Sequence, residues 1–221
     1  MFTPKGPEGL RALLGGKYYV SAQVEVGREY IRTIYSGEKT FYLYEHHLTV
    51  PIGSAYDNYM TESQFQKIPK ELRAIAMLKC IIIPDDKKSA VKGLMEEYVW
   101  NKEERLSVQD ESALVNERNE EASAELTKNY NGFHSTITVD RDKYAFFSVP
   151  YDRGFTAYVN GKMVKILESN GMMAVPLEKG KNEIVFLYRN YSLLIGIICS
   201  VFGLAIWGTY RKGDYIVMNG T

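Results

Sequence analysis

Along residues 17–60 apolar and polar positions alternate loosely. Tyr18, Val20, Val24, Val26, Tyr30, Ile34, Phe41 and Leu43 are the apolar steps, and Gly27 and Ser36-Gly37 are the breaks. Period-two alternation of β-branched and aromatic residues predicts strands joined by turns. Between residues 61 and 121 the period lengthens. Thr61 before Glu62 and Ser63 has the chemistry of a helix N-cap, and Pro69 opens a run in which Leu72, Ile75, Ala76 and Leu78 fall at helical spacing. Helices are therefore expected over 62–67 and 70–79, with others near 87–98 and 110–120, and Ile81–Ile83 before Pro84 reads as a short buried strand.

From about Ala122 short β-rich runs return: SAELTKNY, FHSTITV, YAFFSV, FTAYV, MVKIL, MMAVPL and NEIVFLY. They are separated by Asn131-Gly132, Asp140 to Asp142, Asp152 to Gly154, Asn160-Gly161, Asn170-Gly171 and Lys179-Gly180. Asn-Gly supplies the consecutive positive φ angles that two-residue hairpins require, so these runs should pair antiparallel. Two packed layers bury one face of each sheet, which predicts a β-sandwich with helical insertions, mainly β and α+β in class.

The pattern changes once more at the end. From Asn190 to Tyr210 there is no charged side chain for 21 residues. A helix of that length covers about 30 Å, the thickness of a bilayer's hydrocarbon core, and a transmembrane helix is expected. Tyr191 at one end and Trp207 with Tyr210 at the other fit interfacial belts, and Arg211-Lys212 favours a cytoplasmic C-terminus. Ser192, Gly196, Ser200 and Gly203 fall on one stripe of that helix and suit close approach of another helix. The expected organisation is a membrane-proximal segment over 1–16, an extracytoplasmic sandwich over 17–189 with its helical insertions around 61–121, the membrane helix over 190–210 and a cytoplasmic tail over 211–221. The first sixteen residues have no apolar core followed by a small-residue cleavage site, so they do not read as a signal peptide. The bulk is then either cytosolic behind a tail anchor or the end of a longer membrane protein.

Charge and candidate chemistry add mostly exclusions. Lys+Arg and Asp+Glu are both 27, so no basic footprint points to nucleic acid. The acidic pairs Glu96-Glu97, Glu103-Glu104 and Glu120-Glu121 lack the spacing of a calcium loop and read as solvated faces. Cys80 and Cys199 cannot build a disulfide framework, and with His46, His47 and His134 they are too few and too scattered for zinc. Glu45, His46 and His47 are adjacent on a strand and point to alternate faces, so they do not converge on a ligand. No G-x-S-x-G, G-x-G-x-x-G or P-loop occurs, so neither a hydrolase nucleophile nor a nucleotide cofactor is expected. Among the many aromatics, Tyr130, Phe133, Tyr151 and Phe155 sit at turns and are the candidates for a glycan-contact edge, and Asp152 beside Gly154 reads as an Asx turn.

The stretch FFSVPYDRGFTAYVNGKMVKILESNGMMAVPLEKGKNEIVFLYRN, followed at once by LLIGIICSVFGL, resembles the C-terminal signature of the bacterial YfhO family of polytopic membrane proteins. The resemblance rests on Pro150, Tyr151, Asp152, Gly154 and Phe155, then on Asn160 and the Gly161-Lys162 turn, on a second turn at Asn170-Gly171, and on Lys179-Gly180 before the last strand and helix. Upstream, LLGGKYYVS at 13–21 and YEHHLTVPIGSAYDNYM at 44–60 are similar to other segments of that family. Phe155 stands where the family pattern has Trp, Asn160 where it has Asp, and Tyr44-Glu45-His46-His47 where it has Tyr-Glu-Asn-Pro. The first two changes keep aromatic and turn character. The resemblance implies an extracytoplasmic domain of a protein similar to glycosyltransferases that use polyprenyl-phosphate sugars and modify cell-envelope polymers. Its catalytic acids would lie in an N-terminal membrane part, so this chain alone is expected to be non-catalytic, without a cofactor. Its expected partners are the membrane, the protein's own N-terminal helices and an envelope glycan. The competing reading is a carbohydrate-binding or adhesion module, tethered by its helix and acting alone.

Overall fold

A computed structural model describes residues 8–26, 28–101, 108–123 and 125–218. The expected turn residue Gly27, residues 1–7 and residues 219–221 lie outside them. Helix α1 (Glu8–Leu13) leads into a three-stranded antiparallel sheet of β1 (Tyr18–Ser21), β2 (Glu29–Ser36) and β3 (Lys39–Glu45), with β3 in the middle. Strand β4 (Gly53–Tyr56) enters the main body, and β5 (Asn58–Thr61) turns directly into α2 (Glu62–Phe65). Thr61 starts that helix as expected: its backbone N–H donates to Gln64 Oε1 at 3.0 Å. After a 3-10 turn come α3 (Arg73–Lys79), β6 (Ile81–Ile83), α4 (Lys88–Val91), β7 (Glu96–Glu97) and α5 (Val108–Glu120).

One expectation for this region needs correction. Residues 87–98 do not form one helix. Val91, Leu94 and Met95 have helical spacing, but the helix stops at Val91 and the chain turns, so that Glu96 and Glu97 pair with β5. The expected strand Ile81–Ile83 is present as β6, and with β7 it flanks β5 in a parallel three-stranded sheet, the α2–α3 crossover returning the chain in the same direction.

The last third is a chain of hairpins: β8 (Leu126–Asn129), β9 (Gly132–Val139), β10 (Lys143–Pro150), β11 (Phe155–Val159), β12 (Lys162–Val164), β13 (Leu167–Ser169), β14 (Met172–Leu177) and β15 (Gly180–Tyr188). They build two antiparallel sheets, β12-β11-β15-β9-β8 and β13-β14-β10-β4. Asn160-Gly161 and Asn170-Gly171 have positive φ at both residues, as the tight hairpins between β11 and β12 and between β13 and β14 demand. Between the sheets lie Phe147, Met173 and Val175 from one layer and Ile137, Ile184 and Phe186 from the other, all within 1% of complete burial. The second face of the four-stranded sheet carries Tyr56, Tyr144 and Phe146 against Leu13, Leu78 and Val115 of α1, α3 and α5. The expected sandwich is therefore present, with a third, mixed layer on its back.

Segment 1–16 is only partly described. Within it, α1 packs on α3 and α5 and buries Ala12 and Leu13. At the other end, only Arg189 and Asn190 stand between β15 and α6 (Tyr191–Met218). Its first 20 residues have a mean hydropathy of 2.0 and none of that surface is buried, which makes it a candidate membrane span. The helix runs on to Met218, so residues 211–218 of the expected tail are helical.

Candidate functional site

The site is built around the turn that closes β10 and opens β11. Register shifts between Phe147 and Pro150, so β10 bends where it leaves β14, and Tyr151 N–H donates to Gly171 O at 2.8 Å. Asp152 Oδ1 then accepts from Gly154 N at 2.7 Å, and Phe155 N–H donates to Asp152 O at 3.1 Å, an Asx turn as expected. Gly154 has no room for a side chain: a Cβ there would stand 2.6 Å from Arg189 O and 2.7 Å from the Tyr188 ring. Phe155 stacks at a tilt on Tyr188, with ring centroids 4.9 Å apart.

Two cavities flank Tyr151. One, of about 340 Å³, is walled by Tyr151, Phe155, Thr156, Met163, Lys165 and Ile166. The other, of about 270 Å³, shares Tyr151, Lys165 and Ile166 and adds Pro84, Lys87, Tyr144 and Glu168. Lys165 is exposed and Tyr151 is partly buried. Burial raises the Tyr144 phenol pKa, so the group is a neutral hydroxyl. Aromatic faces beside an ammonium and a carboxylate suit a polyhydroxylated ligand, whose apolar ring face stacks while its hydroxyls take the polar groups.

Of the four aromatics expected at a glycan edge, the structure brings Tyr151 and Phe155 to one cavity. Tyr130 stands apart, fully exposed at the tip of the β8–β9 hairpin. Phe133 is 8% exposed and stacks on Phe186 at 4.6 Å in the sandwich core. Its burial follows from a turn set one residue earlier than expected. Tyr130 and Asn131 make the turn, and Gly132 is already a strand residue, where a Cβ would lie 1.8 Å from Phe186 O. The remaining family-pattern residues hold the hairpins in shape. Pro150 faces Met172, Asn160 Oδ1 accepts from Glu183 N at 2.9 Å beside Gly161, and Lys179 N donates to Asp142 Oδ1 at 2.8 Å just before Gly180. The small-residue stripe lies exposed on α6: nothing is within 4 Å of a Cβ built on Gly196 or Gly203, and Ser200 donates to Gly196 O at 2.8 Å. Ser192 is exposed as well.

Other candidate chemistry resolves into packing. Glu45 pairs with Lys17 at 3.3 Å, His46 is buried with Nδ1 2.7 Å from Leu48 O, and His47 pairs with Glu29, so the three diverge. His134 lies 3.2 Å from Glu183. Burial pushes the Cys80 thiol up to about 12, which makes it unreactive at neutral pH. Among the described residues no group of three His, Cys, Asp or Glu side chains could hold a metal ion.

The sequence reading missed two buried cations. Lys143 Nζ, 4% exposed, lies 2.6 Å from Glu121, 2.8 Å from Asp140 and 3.1 Å from Asp57, which ties β10 to the end of α5 and to the β4–β5 link. Burial opposes its charge, and the three carboxylates outweigh burial and raise its pKa. Arg118 lays its guanidinium 4.4 Å over the Tyr56 ring. Their sequence signal is faint, a Lys before YAFF and an Arg among the glutamates of α5.

No curated protein and no solved structure matches the chain. A family model described as Bacterial membrane protein YfhO matches residues 94–200, from the turn before β7 through β8–β15 and into the first half of α6. The similar segments at 13–21 and 44–60 lie outside that match. The matched residues 94–200 carry the five-stranded sheet, the Tyr151 turn and the start of the apolar helix, and over them the chain is similar to the YfhO family of bacterial membrane proteins.

Proposed function

We propose that this chain is the non-catalytic, extracytoplasmic C-terminal domain of a YfhO-type membrane protein, and that it holds an acceptor glycan beside the bilayer during glycosyl transfer to a cell-envelope polymer. The observation that carries the reading is the position of the aromatic cavity. Phe155 packs on Tyr188, and Tyr188 is three residues from the first residue of α6, so a sugar on Tyr151 and Phe155 would lie close to the membrane surface. Asp57, Glu121 and Asp140 surround Lys143 and Asp152 holds its own turn, which leaves Glu168 as the single carboxylate lining the two cavities, without a second acid beside it. The transferring chemistry then belongs to other membrane helices, which would pack on the Ser192, Gly196, Ser200 and Gly203 stripe.

The test is a titration of the full chain in detergent micelles with envelope polysaccharide fragments, read by intrinsic fluorescence and repeated with Tyr151→Ala. Saturable binding that the variant loses supports the reading, and no binding by any fragment overturns it. An antibody against residues 17–189 applied to source membranes separates the two forms of the proposal. A band well above 25.2 kDa fits a domain of a larger transferase, whereas one at 25.2 kDa shifts the function to a tethered module acting alone.

A further inference from the structure

The end of the sandwich nearest α6 carries a feature that glycan binding does not use. Two turns are clamped to the last residues of β15. Tyr188 N–H donates to Asn131 O at 2.6 Å in the β8–β9 turn, and Arg189 N–H donates to Gly154 O at 2.9 Å in the β10–β11 turn. Both turns are held by close backbone approach, since neither Gly132 nor Gly154 leaves room for a Cβ. Asn190 then starts the helix, its Oδ1 accepting from Leu193 N at 3.0 Å. No flexible linker separates the sheet from the apolar helix, so where α6 enters a bilayer these turns arrive at its surface.

The side chains at that level fit such a surface. Tyr130 is fully exposed at one tip and Tyr191 is 53% exposed at the first turn of α6. Arg153 and Arg189 are both exposed, and neither guanidinium has a hydrogen-bond or ion-pair partner among the described residues. The one carboxylate in these turns, Asp152, is engaged by Gly154 N. Tyrosine prefers the headgroup layer, and unpaired arginines within a Debye length of an anionic leaflet are attracted to it.

We propose that Tyr130, Arg153 and Arg189 form a docking surface for anionic lipid headgroups, which fixes the stance of the sandwich on the membrane. The proposal rests on α6 lying in the bilayer and is independent of any glycan. It is tested with the full chain in nanodiscs of phosphatidylcholine, alone or mixed with phosphatidylglycerol, using fluorescent thiol labels and spin-labelled lipids. Native Cys199 is labelled to report insertion of α6, because Cys80 is buried and unreactive. In a Cys199→Ser background, Tyr130→Cys and Lys181→Cys place single labels at the two ends of the five-stranded sheet, seven residues or about 23 Å apart along β15.

The expected result is headgroup quenching at position 130 and not at 181, stronger with phosphatidylglycerol. Arg153→Gln and Arg189→Gln should each lower the docked-to-undocked ratio about fivefold. Quenching at 130 that matches 181, or that ignores both lipid charge and the two substitutions, overturns the proposal. A Cys199 label that acyl-chain quenchers do not reach overturns it together with the membrane placement of α6, whereas the glycan titration would stand.

Discussion

Strands β15 and β2 have nearly the same length, nine and eight residues, and both are rich in β-branched and aromatic side chains, yet they lie in opposite environments. In β15, Asn182, Ile184 and Phe186 are buried at alternate positions, because the sheet of β10 and β14 covers that face. In β2 no residue is buried: Tyr30, Ile31 and Tyr35 are 52%, 40% and 77% exposed, and among the described residues the strand pairs only with β3, at the edge of its sheet. Alternation therefore specifies a strand, and only a second layer turns that strand into core. Sensitivity to mutation should follow the layers.

The strongest way to break this comparison is Phe186→Ala. Phe186 is fully buried, stacked on Phe133 at 4.6 Å and edge-on to Phe147 at 5.0 Å. Truncation removes contacts on both sheets and leaves a cavity, for an expected loss of about 3–5 kcal/mol. Urea titration of the full chain in micelles, followed by near-UV circular dichroism, measures it. A loss under about 1 kcal/mol would mean that the two sheets do not share a core.

Next in size is Lys143→Met, which strips the cation from Glu121, Asp57 and Asp140. Breaking a fully buried pair costs about 3–5 kcal/mol, and because these carboxylates reach solvent about 2 kcal/mol is expected. The same exchange at Lys39, exposed at the tip of the β2–β3 hairpin, should leave the urea midpoint unchanged.

The same cluster gives the acid side of stability its slope. Burial disfavours the Asp57 carboxylate, but hydrogen bonds from Arg141 and Lys143 outweigh it and hold its pKa below the ordinary carboxylate value. A depressed folded pKa contributes stability that is complete above the unfolded value of about 3.9 and is lost as pH falls through the folded one. Asp57→Asn should therefore flatten the fall in urea midpoint below about pH 4. An unchanged slope would show that the Lys143 cluster does not couple to folding.

How much of this was legible in the sequence depends on whether the deciding contact is local. Asn160-Gly161 and Asn170-Gly171 could be read directly, because turn chemistry is settled within the turn itself. Asn131-Gly132 looks identical, but its glycine answers to the Phe186 carbonyl more than fifty residues away, and that displaced Phe133 from the surface to the core. Val91, Leu94 and Met95 keep the spacing of a helix, and a short helix followed by a turn satisfies the same burial. At the site, Tyr151 and Phe155 were visible beside their Asp-Gly turn, whereas Lys87, Tyr144 and Lys165 reach the cavity from separate elements. No local pattern marks them.

The smallest effect is expected where the second layer is missing. Tyr35 pairs across the hairpin with Thr40, and a cross-strand pair is worth about 0.2–1 kcal/mol, so Tyr35→Ser should cost no more than about 0.5 kcal/mol globally. Its signature should be local. Few buried contacts hold β2 on β3, so their amides should exchange by sub-global opening, well before those of β9 and β15. Tyr35→Ser should speed exchange across residues 31–41 and leave the sandwich amides untouched. If β2 proves as protected as β15 in the membrane-embedded chain, its exposed face has a covering partner there, and this edge strand is half of an interface.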